Sequence, residues 1–314
     1  MTESLAARAV RLGAYPCVLL ASVGGAAAWI ASGGEPDVAT TAVGFGLVPV
    51  CFALERAFPA SPRWRSDPRE MGADALHMVL SNAVPMALLR ALLLGALVAA
   101  TAPIAERFGA GLWPAHASLG AQFALALGLA ELVNYALHRA YHETRLWPLH
   151  AVHHCSPRMY FGISVRKHPL QALLTYGGRF SVLWGLGATP QALAMYAVFV
   201  SANSYLQHAN VRMTTGPLGL LLATPELHRE HHAKPIERHD RNYGDSLIVF
   251  DRLFGTFRAP EPSGVPSDDI GLPGIEVPQT FAAHWRLPFA WRRLHAEASG
   301  ASPGAGVPAP AERR

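Results

Sequence analysis

Two stretches of the chain repeat one arrangement. "LHAVHH" carries His150, His153 and His154, and "LHREHH" carries His228, His231 and His232; both read H-x-x-H-H. In "NYALHRAYHE", His138 and His142 stand four residues apart, and "QHAN" adds His208. On a helix, residues three and four apart share a face. Each set can therefore aim its imidazoles at one point, and Pro148 suits the first turn of the helix carrying His150. Imidazole suits iron, zinc, copper and nickel. One such ion takes about four to six ligands, so nine histidines are too many for one ion and suit two. A zinc hydrolase of the H-E-x-x-H type is not indicated, because that motif is absent. A pair of irons that binds and activates O2 fits the set best.

Nine neutral ligands leave a strongly cationic site, so carboxylates are expected to orient the imidazoles and balance charge. Glu131, Glu143, Glu230, Asp240 and Asp245 are the candidates. Glu131 lies on the side of its helix that carries His138, with Asn134 or Tyr135, and these three are the candidate residues just behind the ligands. His168, in "RKHPLQ", is open between ligand, supporting residue and structural residue. His77, His116, His239, His284 and His295 lack ligand spacing and are expected to be ordinary structural residues.

The elements that must position these groups are helices in lipid. Of 314 residues, 51% are hydrophobic and 15% charged, against about 25% charged in soluble domains. Residues 12–32, 38–54 and 110–130 carry no charge, and 75–105 carries only Arg90. A span needs about 20 apolar residues, so four long spans are predicted. An alanine-rich soluble bundle would have too little charge to cover four such runs. The first run exceeds a signal peptide's apolar core of about 7–15 residues, which favours a retained span. Residues 169–207 form a shorter helical hairpin that turns at Thr189-Pro190. Basic residues at 8–11, 56–69 and 139–167, against nearly none at 33–37 and 101–114, place the N-terminus and the histidines on the inner, cytosolic side. The expected fold is an all-α integral membrane bundle, four long spans plus a short helical hairpin, with a cytosol-facing histidine-rich metal domain.

Three regions follow. Residues 1–70 are an N-terminal transmembrane hairpin with a basic inner loop. Residues 71–258 are the catalytic region, and 259–314 a Pro/Gly/Ala-rich C-terminal tail whose last part, 298–314, reads as disordered. The net charge of +4 comes without a basic stripe interleaved with aromatics, which argues against nucleic acid. Cys17, Cys51 and Cys155 form no C-x-x-C pair, so neither a disulfide framework nor a zinc ribbon is expected.

"ELVNYALHRAYHETRLWPLHAVHHCSPRMY", "RKHPLQ", "QHAN", "ELHREHHAKP" and "NYGDSLIVFDRLFGTF" together resemble the fatty acid hydroxylase and sterol desaturase superfamily over roughly residues 70–258. The resemblance implies a cytosol-facing di-iron centre that uses O2 and two electrons to hydroxylate or desaturate an unactivated C–H bond of a lipid. It assigns as ligands His138, His142, His150, His153, His154, His208, His228, His231 and His232. The chain departs from the family at Glu131, where many relatives have Asp, and at Cys155, where a serine is usual. A sterol-like, carotenoid or fatty acyl substrate is expected to enter sideways from the bilayer, between spans 3 and 4 and the hairpin. No haem, flavin or nicotinamide motif is present, so a separate ferredoxin or small cytochrome is the expected donor. The composition suggests a bacterial inner membrane. Rival readings are a membrane di-zinc hydrolase, a metal carrier or sensor, and an inactive relative with a structural metal. Sequence alone leaves the oligomeric state open.

Overall fold

The computed structural model describes residues 3–108, 112–261 and 269–299. Among these residues no strand occurs, only isolated bridges. The long helices are α1 (Leu5–Ala31), α2 (Pro36–Ala57), α3 (Pro68–Leu76), which runs through a π turn (His77–Ala83) into α4 (Val84–Phe108), and α5 (Leu119–Glu143). Four stretches, Leu5–Ala31, Pro36–Ala57, Pro68–Leu97 and Leu119–Glu143, are long and apolar enough to cross a membrane. Their exposed residues include Leu20, Phe45, Val79 and Leu92, as expected of faces solvated by lipid rather than water.

Boundaries follow local chemistry. The fourth span starts at residue 119, later than the apolar run suggested. Ser118 caps it there, accepting from the Ala121 amide at 3.3 Å, because the proline-containing stretch before it cannot extend the helix. The π turn holds one extra residue per turn. Asn82 stitches it to the neighbouring loop, its amide donating to His77 O and Val165 O, each at 2.8 Å.

The predicted hairpin is α7 (Pro169–Gly185) and α8 (Pro190–His208). Thr189 caps α8, and its hydroxyl donates to Gln122 Oε1 at 2.8 Å. Gln122 stands in the first turn of α5, so the hairpin reaches the end of the bundle opposite the histidines. α8 is the central post, packed against α1, α2 and α5, while α7 lies against α4 and α5. Gly178 permits the close approach of α7: a Cβ there would stand 2.8 Å from Leu137 Cδ1.

At the other end lie the short helices α6 (Trp147–His154), α9 (Pro225–His231), α10 (Ile236–His239) and α11 (Val249–Phe254). The C-terminal region is more ordered than the reading of a tail suggested. Helix α12 (Phe281–Ser299) buries Leu287 and Trp291 against Trp147 and Val152 of α6. Residues 300–314, most of the segment read as disordered, lie outside the described residues.

Candidate metal centre

The nine histidines predicted from spacing converge. His138, His142, His150, His154 and His231 form one group, and His153, His208, His228 and His232 a second. Within each group, one ring nitrogen from every member lies within 4.8 Å of the others, and all nine residues are buried. Helix α6 serves both groups: His150 and His154, one turn apart, face the first, and His153 faces the second. α9 divides in the same way, His231 to the first group and His228 to the second. α5 contributes only to the first group and α8 only to the second.

The Nε2 atoms point inward. His138 and His150 approach to 2.9 Å, His150 and His154 to 3.1 Å, His153 and His208 to 3.2 Å, and His208 and His228 to 2.9 Å. Metal–nitrogen bonds of about 2.0–2.1 Å at right angles give an edge of about 2.8–3.0 Å. The outer nitrogens of six rings are engaged elsewhere. Nδ1–H donates to a main-chain carbonyl in His138 (Tyr243 O, 2.7 Å), His153 (Arg166 O, 3.2 Å), His208 (Ser204 O, 2.7 Å) and His231 (Arg241 O, 2.8 Å). His142 Nδ1 meets Asp240 Oδ1 at 3.1 Å. His153 and His208 have thus both committed their protons to carbonyls, and their Nε2 lone pairs face each other. Two lone pairs at that distance repel, and a shared cation removes the repulsion.

The imidazoles outside the spans are also kept uncharged. Burial first, then the neighbouring imidazoles, holds His153, His154, His228, His231 and His232 well below the ordinary histidine range. Neutral imidazole is the form that ligates a metal.

Further residues hold the carbonyls in place. Asp251 accepts from the Tyr243 and Gly244 amides, each at 2.7 Å, and fixes the loop whose Tyr243 O orients His138. A Cβ at Gly244 would stand 2.3 Å from Leu247 O, so only glycine fits. Arg166 orients His153 through its carbonyl. Its guanidinium is gripped by Asp74 at 2.8 Å, by the Tyr160 hydroxyl at 2.8 Å and by Gln279 at 2.5 Å. Tyr160 in turn donates to Asp74.

Most of the other sequence candidates stand apart from the rings. Glu131 accepts from the Ser246 amide at 2.7 Å and the Tyr196 hydroxyl at 3.2 Å. Asn134 lines the small space beside His138 and His153. Tyr135 turns away, its hydroxyl 2.9 Å from Thr256 Oγ1 and its ring stacked on Phe254. Of the carboxylates, Asp240 meets a clustered ring. Asp245 pairs with Arg179 at 2.5 Å, and Glu230 with Arg238 at 2.7 Å. Glu143 takes Arg139 at 3.0 Å. His168 belongs to neither group: its Nδ1 accepts from the Leu170 amide at 3.2 Å and caps α7.

His239 is where spacing misled. The turn after α9 folds α10 back, and the buried His239 ring comes within 4.7 Å, centroid to centroid, of both His142 and His154. No periodic motif reports a ring that arrives through a turn; the adjacent Asp240 is the one local cue. His77 and His284 are structural, bonded to each other at 3.0 Å across the π turn and α12.

Two cavities flank the cluster. One of about 370 Å³ lies among α2, the π turn, α7 and α8, with Phe45, Met86, Phe180 and Val200 in its wall. Ser164, Lys167, Arg179, Ser204 and Asp245 form its floor and also line a small space of about 30 Å³ against His138, His150, His153, His208 and His228. A second cavity of about 430 Å³ touches His142 from the side of α6, α10 and α12.

A helical bundle with apolar spans and a buried double histidine cluster at one end defines a class, and sequence comparison gives its family. The fatty acid hydroxylase profile matches residues 123–256. The ornithine lipid hydroxylase OlsE of Rhizobium tropici is 33% identical over 259 residues, 82% of this chain and 77% of that protein. The chain belongs to the fatty acid hydroxylase family. Alkylglycerol monooxygenases match more locally. That of Caenorhabditis elegans is 32% identical over 41% of this chain and 25% of its own length, and the human one 33% identical over 40% and 28%. No solved structure matches.

Proposed function

We propose that the chain is an iron-dependent lipid hydroxylase of a bacterial inner membrane, with its histidine cluster on the cytoplasmic face. Facing Nε2 lone pairs beside an apolar cavity carry this reading. His138, His142, His150, His154 and His231 would hold one iron, and His153, His208, His228 and His232 the other. Bound there, the irons would supply O2 activation at a C–H bond. One oxygen atom would enter that bond and the other would leave as water, with two electrons drawn from a separate ferredoxin or small cytochrome and two protons from solvent.

The chain's own part is to hold and orient. The apolar walls at Phe45, Met86, Phe180 and Val200 take the hydrocarbon part of the lipid. The polar floor at Lys167, Arg179, Ser204 and Asp245 takes its polar end, because an apolar chain end would strip those groups of water without replacing their hydrogen bonds. Burial pushes Asp245 up, but Arg179 and Lys167, together with the other neighbouring groups, more than offset it and hold that carboxylate below its ordinary range. Entry lies between spans 2 and 3 and the hairpin rather than beside span 4, since Thr41, Gly44, Met78 and Ala83 line the cavity. Glu131, Asn134 and Tyr135 act by packing and hydrogen bonding behind the ligands. Hydroxylation is preferred to desaturation because the named relatives are hydroxylases and monooxygenases.

The test is metal content and product together, on full-length protein purified in detergent from iron-supplemented cells. About two irons per chain is the expectation, with one atom of isotope-labelled O2 entering a membrane lipid when a reduced ferredoxin is supplied. Zinc bound tightly with iron excluded would instead favour the hydrolase or the inactive relative.

A further inference from the structure

The clustered histidines are buried, so an incoming ion needs an opening. The cavity among the spans has apolar walls, and a divalent cation stripped of water faces a prohibitive cost there. The cavity of about 430 Å³ on the other side also has apolar walls, at Trp147, Ile236, Leu272, Ile275 and Trp291, but it gathers metal-ligating side chains, His142, His239 and Asp240, beside Lys234 and His295. His142, His239 and Asp240 place one ligand atom each within 4.8 Å of one another. His142 is also a member of the five-histidine group.

We propose that His239, Asp240 and His142 form a third cation site, a capture point where a divalent transition-metal ion enters before passing to the five-histidine group. The inference rests on the reading of the nine histidines as metal ligands. Two imidazoles and a carboxylate suit a borderline ion such as Fe2+ or Co2+. Three donors, one on the partly exposed Asp240, bind more weakly than five imidazoles. Transfer inward is therefore downhill, and His142 is already common to both sets. Lys234, which also lines the cavity, opposes capture by charge.

The probe is Co2+, whose visible absorption reports imidazole coordination. Full-length protein in detergent, stripped with a chelator, is mixed with limiting Co2+. Absorption is followed in time, and bound metal is counted after gel filtration. His239→Gln is expected to load slower by about tenfold, at the lower end of what loss of a metal-supporting group costs, yet to reach the wild-type stoichiometry and spectrum. Lys234→Gln is expected to load faster, by roughly threefold for one removed charge, a gain that misfolded protein cannot produce. Wild-type rates in both variants would overturn the proposal. So would a His239→Gln protein that ends one metal short, which would make His239 a ligand of the resident centre. If the wild-type protein itself takes up no cobalt, the nine-ligand reading fails and the capture site with it; that outcome is seen without any variant.

Discussion

The two histidine groups sit side by side, with the rings of His154 and His232 stacked at 4.3 Å, yet they are built differently. Both border the small space below the cavity among the spans, the four-membered group through His153, His208 and His228 and the five-membered group through His138 and His150. In the four-membered group the outer nitrogens of His153 and His208 are held by the neutral main-chain carbonyls of Arg166 and Ser204. The five-membered group also lines the cavity beside α6, α10 and α12 through His142, where Asp240 adds a carboxylate. On the proposed reading, neutral carbonyls would leave more positive charge on the four-membered group, and its fewer imidazoles more room for an added ligand. The fuller, carboxylate-supported group would, on the same reading, hold its iron the more firmly.

If that division holds, removing one ligand should hurt the smaller group more. His208→Ala leaves three imidazoles where four stood, whereas His231→Ala leaves four of five. His208→Ala is expected to lower iron from about two per chain to about one and to abolish hydroxylation, since structural sites generally need four ligands. His231→Ala is expected to retain both irons with weaker binding. Metal analysis after dialysis decides this, and equal losses in the two variants would break the comparison.

The carboxylate gives a second contrast. Asp240→Asn removes the charge that supports His142 and is expected to weaken one of the two metal-binding steps by about 10- to 100-fold. The other step should be unchanged in a chelator competition. Weakening of both would mean that the groups act as one unit.

A third test leaves the metals alone. Ala197 and Val200 line the cavity among the spans on α8, apart from the residues that hold the ring nitrogens. Ala197→Phe fills part of that space and is expected to lower kcat/KM for a long-chain lipid by about tenfold, about 1.4 kcal/mol. Iron content should stay at the wild-type level. A loss of iron instead would show that α8 transmits cavity strain to His208.

What could be read from sequence divides by range. His138 with His142, and each H-x-x-H-H set, were legible because helical periodicity alone brings those rings to one face. The spans were legible from their lack of charge. Assignment to two groups was not, since α6 and α9 each split their histidines between groups according to how they pack. The Arg166 and Tyr243 carbonyls were invisible for a similar reason: every residue has a carbonyl, and only tertiary position makes one an orienting group. Helix α12 escaped because Pro288 and the surrounding glycines and prolines mask an apolar face that Trp147 alone reveals.

His168 gives the smallest effect and the finest test of what separates a ligand from a helical cap. Sequence left it open, while its Nδ1 caps α7 and its ring packs 5.3 Å from Trp285. Losing a capping acceptor costs about 0.5–2 kcal/mol. His168→Ala is therefore expected to lower the melting temperature modestly with iron per chain unchanged. His168→Asn, which can still accept from the Leu170 amide, is expected to recover most of that loss. The recovery matters because an asparagine cap can replace the hydrogen bond but not a metal-ligating imidazole. If His168→Ala instead loses iron and His168→Asn does not restore it, His168 joins the four-membered group. The two groups would then be equal in number, and the asymmetry between them would have to come from the carboxylate alone.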